Sequence, residues 1–254
     1  MIRRLFAALS ILFASILAVP SIGRVYASAT DDRKLLTIDA RTNRVIASAP
    51  AGEYPDGIAY DSKDRRVFVS DESGGRAYVF TAAGRPLGSV ELGGEAGNVQ
   101  YDPVTGHVLA DVQTQNVVAV INPRTLRVIR RVSLPGCNHD HGLNVDAARR
   151  LAFVACDENA RLLTLDLRTM KVTGNTTVGG SPDVLAFDPG LRRLYVAAET
   201  GDVAVFAEDG RRLKKLGEDI LAPEAHVVAV DPKTHLVYFP LQSGPTLRIM
   251  KPTR

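Results

Sequence analysis

Cys137-Asn138-His139-Asp140-His141-Gly142 is the densest run of chemistry-bearing side chains in the sequence. In extended backbone, side chains two residues apart point the same way, so His139 and His141 could reach one ion or one polar ligand together. Imidazole and carboxylate groups suit zinc, copper, iron or nickel. Other catalytic signatures are absent. There is no Gly-x-Ser-x-Gly elbow, no Gly-Lys-Ser/Thr phosphate loop and no His-Glu-x-x-His. The two cysteines, Cys137 and Cys156, are too few for a four-thiolate zinc site. Neither sits in a Cys-x-x-Cys or Cys-x-x-Cys-His motif, so a dithiol redox centre and covalent c-type haem are unsupported.

The positions of these residues follow from a repeat. An apolar run ending in Asp recurs at Asp61, Asp102, Asp146, Asp188 and Asp231, with spacings of 41, 44, 42 and 43. Each Asp is followed by a short turn and a β-rich run, such as Arg66-Val67-Phe68-Val69-Ser70 or Arg193-Leu194-Tyr195-Val196-Ala197. A third run follows (Val117 to Ile121, Leu162 to Leu165, Val203 to Phe206), then a turn and a fourth run. That last turn recurs closely at Asp39 to Ile46, Asn122 to Ile129 and Asp166 to Thr173. Asp or Asn opens such a turn by accepting from the backbone ahead of it, and the β-branched residues beyond it start a strand. No stretch after residue 29 sustains a 3.6-residue apolar period, which disfavours a β/α architecture. Four short strands per unit of about 42 residues mark a β-propeller blade. The expected fold is all-β: a propeller of six, or alternatively seven, four-stranded blades. Units fall at 57–92, 98–134, 142–178, 184–219 and 227–254, with an incomplete first one.

In a propeller the first strand of each blade lines the central channel, and the loops leading into those strands ring its mouth. Five residues before each repeat Asp stand Asp56, Gly97, His141, Asp183 and His226; seven before stand Tyr54, Glu95, His139, Ser181 and Glu224. The candidate ligand-binding set is therefore Asp56, Glu95, His139, His141, Asp183, Glu224 and His226, with His139, His141 and His226 as candidate ligands of a divalent metal ion. The alternative is that each histidine caps a loop or bonds a backbone carbonyl. His107 and His235 fall in turns between first and second strands and read as surface residues. Asp71-Glu72 and Asp31-Asp32 read as solvated loop carboxylates, and Gly93-Gly94 and Gly179-Gly180 as connector turns. Cys137 precedes a first strand and Cys156 ends the second, so folding that hairpin predicts a disulfide between them. The rival is a free Cys137 thiolate beside the histidines.

Residues 1–29 carry the pattern of an export signal. Arg3 and Arg4 precede an apolar run from Leu5 to Val19, and Ala27-Ser28-Ala29 supplies a small-x-small cleavage site. The run is shorter than the roughly 20 residues a membrane helix needs, and no comparable run follows. This predicts a signal peptide over 1–29 and one propeller domain over 30–254, periplasmic or secreted, where a disulfide persists. The repeat disagrees at this point. Gly23-Arg24-Val25-Tyr26-Ala27-Ser28 aligns without gaps to the second-strand segment Gly106-His107-Val108-Leu109-Ala110-Asp111, and Ile16 to Pro20 resembles a first strand that has lost its Asp. The leader also explains the formal charge of +3. Arg3, Arg4 and Arg24 lie within the first 29 residues, which hold no acid, and the remainder has 28 basic residues against 28 acidic. With aromatics at 6 % and no Trp, neither charge nor stacking surface favours nucleic acid.

The pattern Asp188-Pro189 … Arg193-Leu194-Tyr195-Val196-Ala197, with the Asp-x-x-Thr-x-Arg/Lys-Val turn, resembles the bacterial YVTN-type (40-residue repeat) β-propeller family over nearly all of 23–254. The resemblance implies an exported or surface-associated propeller. Relatives bind ligands or single-stranded DNA, and related propellers carry haem d₁ or support quinone-dependent oxidation. It also implies closure of the last blade by an N-terminal strand, and no fourth strand is evident after Thr246 to Met250. The resulting expectation is an exported, non-catalytic, monomeric propeller that binds a small molecule or protein partner at the channel mouth. The alternatives are a metal-dependent hydrolase or lactonase using the His/Asp ring, and single-stranded DNA binding.

Overall fold

The computed structural model describes residues 13–241 and 246–253. Its strands form six consecutive antiparallel sheets. The first blade comprises β1 (Phe13–Val19), β2 (Arg24–Ala29), β3 (Lys34–Asp39) and β4 (Arg44–Pro50). The second holds β5 (Pro55–Asp61), β6 (Arg66–Asp71), β7 (Arg76–Thr81) and β8 (Pro86–Glu91). In the third are β9 (Ala96–Asp102), β10 (His107–Val112), β11 (Val117–Asn122) and β12 (Arg127–Ser133). The fourth is built from β13 (Asp140–Asp146), β14 (Leu151–Cys156), β15 (Arg161–Asp166) and β16 (Lys171–Thr177). The fifth has β17 (Pro182–Asp188), β18 (Arg193–Ala198), β19 (Asp202–Asp209) and β20 (Arg212–Ile220). The last, with three strands among the described residues, has β21 (Ala229–Asp231), β22 (Leu236–Leu241) and β23 (Thr246–Met250). The molecule is a six-bladed propeller, as the repeat predicts.

Composition sets the order of strands from the axis outward. Second strands read as continuous apolar runs because both of their faces are covered by neighbouring blades. All six residues of β14 (Leu-Ala-Phe-Val-Ala-Cys) are buried. Fourth strands alternate into solvent, and β16 (Lys-Val-Thr-Gly-Asn-Thr-Thr) buries none of its seven side chains. The core lies between blades: Phe68, Val99 and Val108 pack across one seam, Leu109, Val120 and Val154 across the next, and Phe153, Val196 and Phe206 across a third. Full burial of each such side chain stabilises by about 1.5–3 kcal/mol.

The repeat Asp does the work its spacing suggests. Oδ1 of Asp61 accepts from the N–H groups of Lys63 and Asp64, Asp146 from Ala148 and Arg149, and Asp188 from Gly190 and Leu191. Four residues after each Asp the backbone is left-handed, at Arg65, Gly106, Arg150, Arg192 and His235. An arginine or histidine there costs more than glycine. Two of these side chains recover the cost by reaching the preceding blade: Arg150 Nη1 lies 2.5 Å from Asp102 Oδ1, and His235 Nδ1 lies 2.8 Å from Asp188 Oδ2. His235 is thus an inter-blade tie rather than a plain surface residue.

Inner strands approach closely, and Gly142 shows why. A Cβ there would sit 2.0 Å from the Asp183 carbonyl oxygen of the next blade. The first blade uses the leader-like residues. Ile16 pairs with Ala27 and Val19 with Arg24, giving the degenerate first strand and the second strand that the alignment suggested. Tyr26 is fully buried, stacks on Tyr60 at 6.4 Å and donates its hydroxyl to the Ala82 carbonyl at 2.7 Å. A cut after Ala29 would remove β1 and β2. Arg3, Arg4 and the start of the apolar run lie outside the described residues. Among those residues no helix is long and apolar enough to cross a membrane.

Candidate ligand site at the channel mouth

Residues from all six blades, Ser15 of β1 among them, line a cavity of about 290 Å³ at the end of the channel where first strands begin. The segments leading into the first strands supply Tyr54, Asp56, Asn98, His139, His141, Asp183 and His226. The loops after the second strands supply Glu72, Gln113, Asp157 and Glu199.

His141 is held from both sides. Its Nε2 lies 3.0 Å from Asp183 Oδ1 and 3.7 Å from Asp56 Oδ2, and its Nδ1 lies 3.2 Å from Gln113 Oε1. With acceptors at both nitrogens the ring is an imidazolium. Burial pushes its pKa down, but the hydrogen bond and charge of Asp183, aided by Asp56 and Glu72, outweigh this and carry it up to about 10. Asp56 is 8 % exposed; burial lifts its carboxyl to about 6 against the pull of the His141 cation. Its Oδ2 has no hydrogen-bond partner among the described residues, and neither has Gln113 Nε2.

Asp140, between the two histidines, points into the blade seam instead. It accepts from the Val112 N–H at 3.2 Å and meets the carboxyl of Asp111. Burial raises both, Asp140 to about 7 and Asp111 well above its ordinary value, so the two carboxyls share a proton in the seam.

The His-x-His geometry departs from the extended-strand expectation. His139 has φ of 63°, and β13 carries a register shift between Asp140 and Gly142. The two rings therefore engage separate carboxylates: His139 Nε2 lies 3.4 Å from Glu95 Oε2 and its Nδ1 3.6 Å from Asp157 Oδ2. Ser181 and Glu224, at the same repeat position, are also left-handed, so this backbone belongs to the loop and is not special to His139. The disulfide between Cys137 and Cys156 forms as expected, with Cα atoms 5.3 Å apart, and ties this loop to the end of β14. Both sulfurs are thereby removed from any ligand role. The third histidine, His226, places Nε2 3.9 Å from Asp183 Oδ2.

Of the seven candidates, Asp56, His139, His141, Asp183 and His226 line the cavity. Glu95 stands at its rim through His139, and Glu224 is exposed and outside the lining. Sequence reasoning missed Glu72, Gln113, Asp157 and Glu199, although each stands eleven residues after a repeat Asp. It also read Asp71-Glu72 as solvated. Asp71 is 1 % exposed, and its Oδ1 accepts from the N–H groups of Glu53 and Tyr54 at 2.9 and 2.8 Å, fixing the loop that carries Tyr54. Five carboxylates thus line the cavity around one imidazolium, and the mouth is electronegative.

No family model matches the chain, and no curated protein matches it. Solved structures do. A proposed 6-phosphogluconolactonase from Bacteroides uniformis has a TM-score of 0.80 at 15 % identity, covering 94 % of this chain and 80 % of that one. A chain of the mitotic checkpoint complex has a TM-score of 0.81 at 10 % identity, with 98 % and 77 % covered. Kuenenia stuttgartiensis hydrazine synthase has a TM-score of 0.70 at 10 % identity, with 98 % and 99 % covered. At such identities the likeness is one of fold, and it agrees with the blade architecture described above.

Proposed function

We propose that this chain is an exported, non-catalytic propeller whose channel mouth binds a small ligand carrying positive charge. The observation behind this reading is the surplus of carboxylates (Asp56, Glu72, Asp157, Asp183 and Glu199) around a cavity of about 290 Å³. The unsatisfied Asp56 Oδ2 and Gln113 Nε2 favour a ligand with both donor and acceptor groups. Both nitrogens of His141 are engaged by acceptors, so it braces Asp183 and offers no lone pair for proton abstraction. Export is supported by the basic-apolar-small pattern of residues 1–29 and by the disulfide. The repeat pattern supports membership of the YVTN-type family. A neutral body and an acidic mouth argue against single-stranded DNA as the ligand.

The test is calorimetry with 1,4-diaminobutane and with succinate at low salt. The diamine binds and succinate does not, and Asp56→Asn weakens the diamine about tenfold. Equal binding of succinate, or an Asp56→Asn variant with undiminished affinity, would overturn the proposal. Mass spectrometry of the exported chain reports the mature N-terminus and decides whether β1 and β2 survive export.

A further inference from the structure

We infer that Asp183, Glu199 and His226 bind one divalent transition-metal ion at the seam of the last two blades. The inference rests on the reading of the mouth as a ligand site and names one occupant of it. One ligand atom from each residue lies within 4.8 Å of the others, close enough for small side-chain rotations to gather them on an ion. The three come from separate segments: the start of β17, the loop after β18 and the lead into β21. Two carboxylate oxygens and one imidazole nitrogen suit zinc, cobalt or nickel, and three protein ligands leave a coordination position open toward the cavity.

Two further features point to a cation. Asp183 is already oriented: His141 Nε2 holds Oδ1 at 3.0 Å, while Oδ2 faces His226 Nε2 at 3.9 Å. Hydrogen-bonded partners of this kind fix ligand geometry in metal sites. Asp56, more than nine-tenths buried, lines the same cavity with an oxygen that no hydrogen bond satisfies. A buried carboxylate in a cluster of carboxylates is costly without added positive charge, and a divalent ion supplies it.

The experiment uses the full chain, stripped with EDTA and dialysed, titrated with Zn²⁺ by calorimetry and with Co²⁺ by visible absorption. One ion binds per chain, and Co²⁺ develops ligand-field bands. Glu199→Gln, in an exposed loop, weakens binding at least tenfold, as does His226→Gln; Glu91→Gln, on the outer strand β8, leaves it unchanged. Thermal melts identify any variant that fails to fold, and the other of the pair then decides. Absence of saturable one-to-one binding, or unchanged affinity in a folded Glu199→Gln or His226→Gln variant, overturns the site. The diamine separates the two readings: if it binds while Zn²⁺ does not, the metal inference falls and the ligand site stands. If Zn²⁺ binds while the diamine does not, the metal site stands and the organic-cation reading falls.

Discussion

The two rims of the ring are built from the same materials, carboxylates facing cations across blade seams, yet they treat them oppositely. On the rim of the repeat Asp turns, charge is matched. Burial pushes Asp102 up, but hydrogen bonds from Arg150 and Thr105 hold it below the ordinary range. Asp166 is likewise held down by Arg168 N–H and Arg211 against the effect of burial, while Asp64 is lowered by its two-pronged bond from Arg124. At the mouth, Asp56 rises to about 6, because burial, with Asp183 and Glu72 close by, outweighs the pull of the His141 cation. Carboxylates on the first rim are consumed in holding blades together. Those at the mouth are kept at a cost to the fold, which marks them as serving something other than the fold.

The contrast can be broken at either end. Arg150→Ala leaves Asp102, whose side chain is 2 % exposed, buried without its partner. It should cost about 3–5 kcal/mol in denaturant unfolding while sparing ligand affinity in the folded protein. Replacing Cys137 and Cys156 together by Ser should cost roughly 2–4 kcal/mol and also weaken ligand binding, because the bridge tethers the His139 loop. Glu72→Gln should act the other way, lowering diamine affinity about tenfold, or about 1.4 kcal/mol, with stability unchanged or slightly improved. A clear loss of stability in that variant would erase the distinction between the rims.

The smallest effect tests the exception on the structural rim. Glu208 lies against Asp146, and burial together with that neighbour lifts it to about 7, against the pull of Arg149 at 3.1 Å. A carboxyl whose folded pKa exceeds its unfolded one binds more protons in the native state. Its contribution is complete below the unfolded value, near pH 4.5, and is lost as pH rises through 7. Stability should therefore fall between pH 5 and 8 by on the order of 1 kcal/mol from this pair, and Glu208→Gln should flatten that part of the profile.

The repeat Asp made much of this legible. It is a single polar residue fixed by turn chemistry, so counting from it located Asp56, His141, Asp183 and His226, and the hairpin it closes predicted the disulfide. The positions eleven residues later were legible by the same count. They were overlooked because their types vary (Glu72, Gln113, Asp157, Glu199) and their flanks share no residue. The left-handed backbone of His139 had no such signal, since Tyr, Glu, Ser and His all stand at its repeat position. The first blade was obscured where the marker is missing: after Val19 the chain turns through Pro20–Ile22, and no Asp opens the turn. Without that punctuation the same apolar residues carry two patterns at once, that of a leader and that of a first strand.

That unmarked turn has a consequence for how the ring is stitched. In the fourth and sixth blades one short turn carries both a socket, the Asp, and a plug four residues on that reaches the socket of the preceding blade, so duplicating such a blade duplicates a complete head-to-tail joint. Such joints close a ring only when the last socket meets the first plug. Here the last socket is Asp231, already bonded to Lys233 N–H and Thr234 within its own turn, and the first plug position is Gly23, left-handed like its counterparts but with no side chain to offer. Among the described residues the meeting of the last and first blades therefore lacks this ionic stitch, as does that of the second and third, where the plug position is Gly106. Hydrogen exchange in β2, whose own turn carries neither socket nor plug, should outpace that in β10 and β14, whose blades are joined by Asp102 and Arg150.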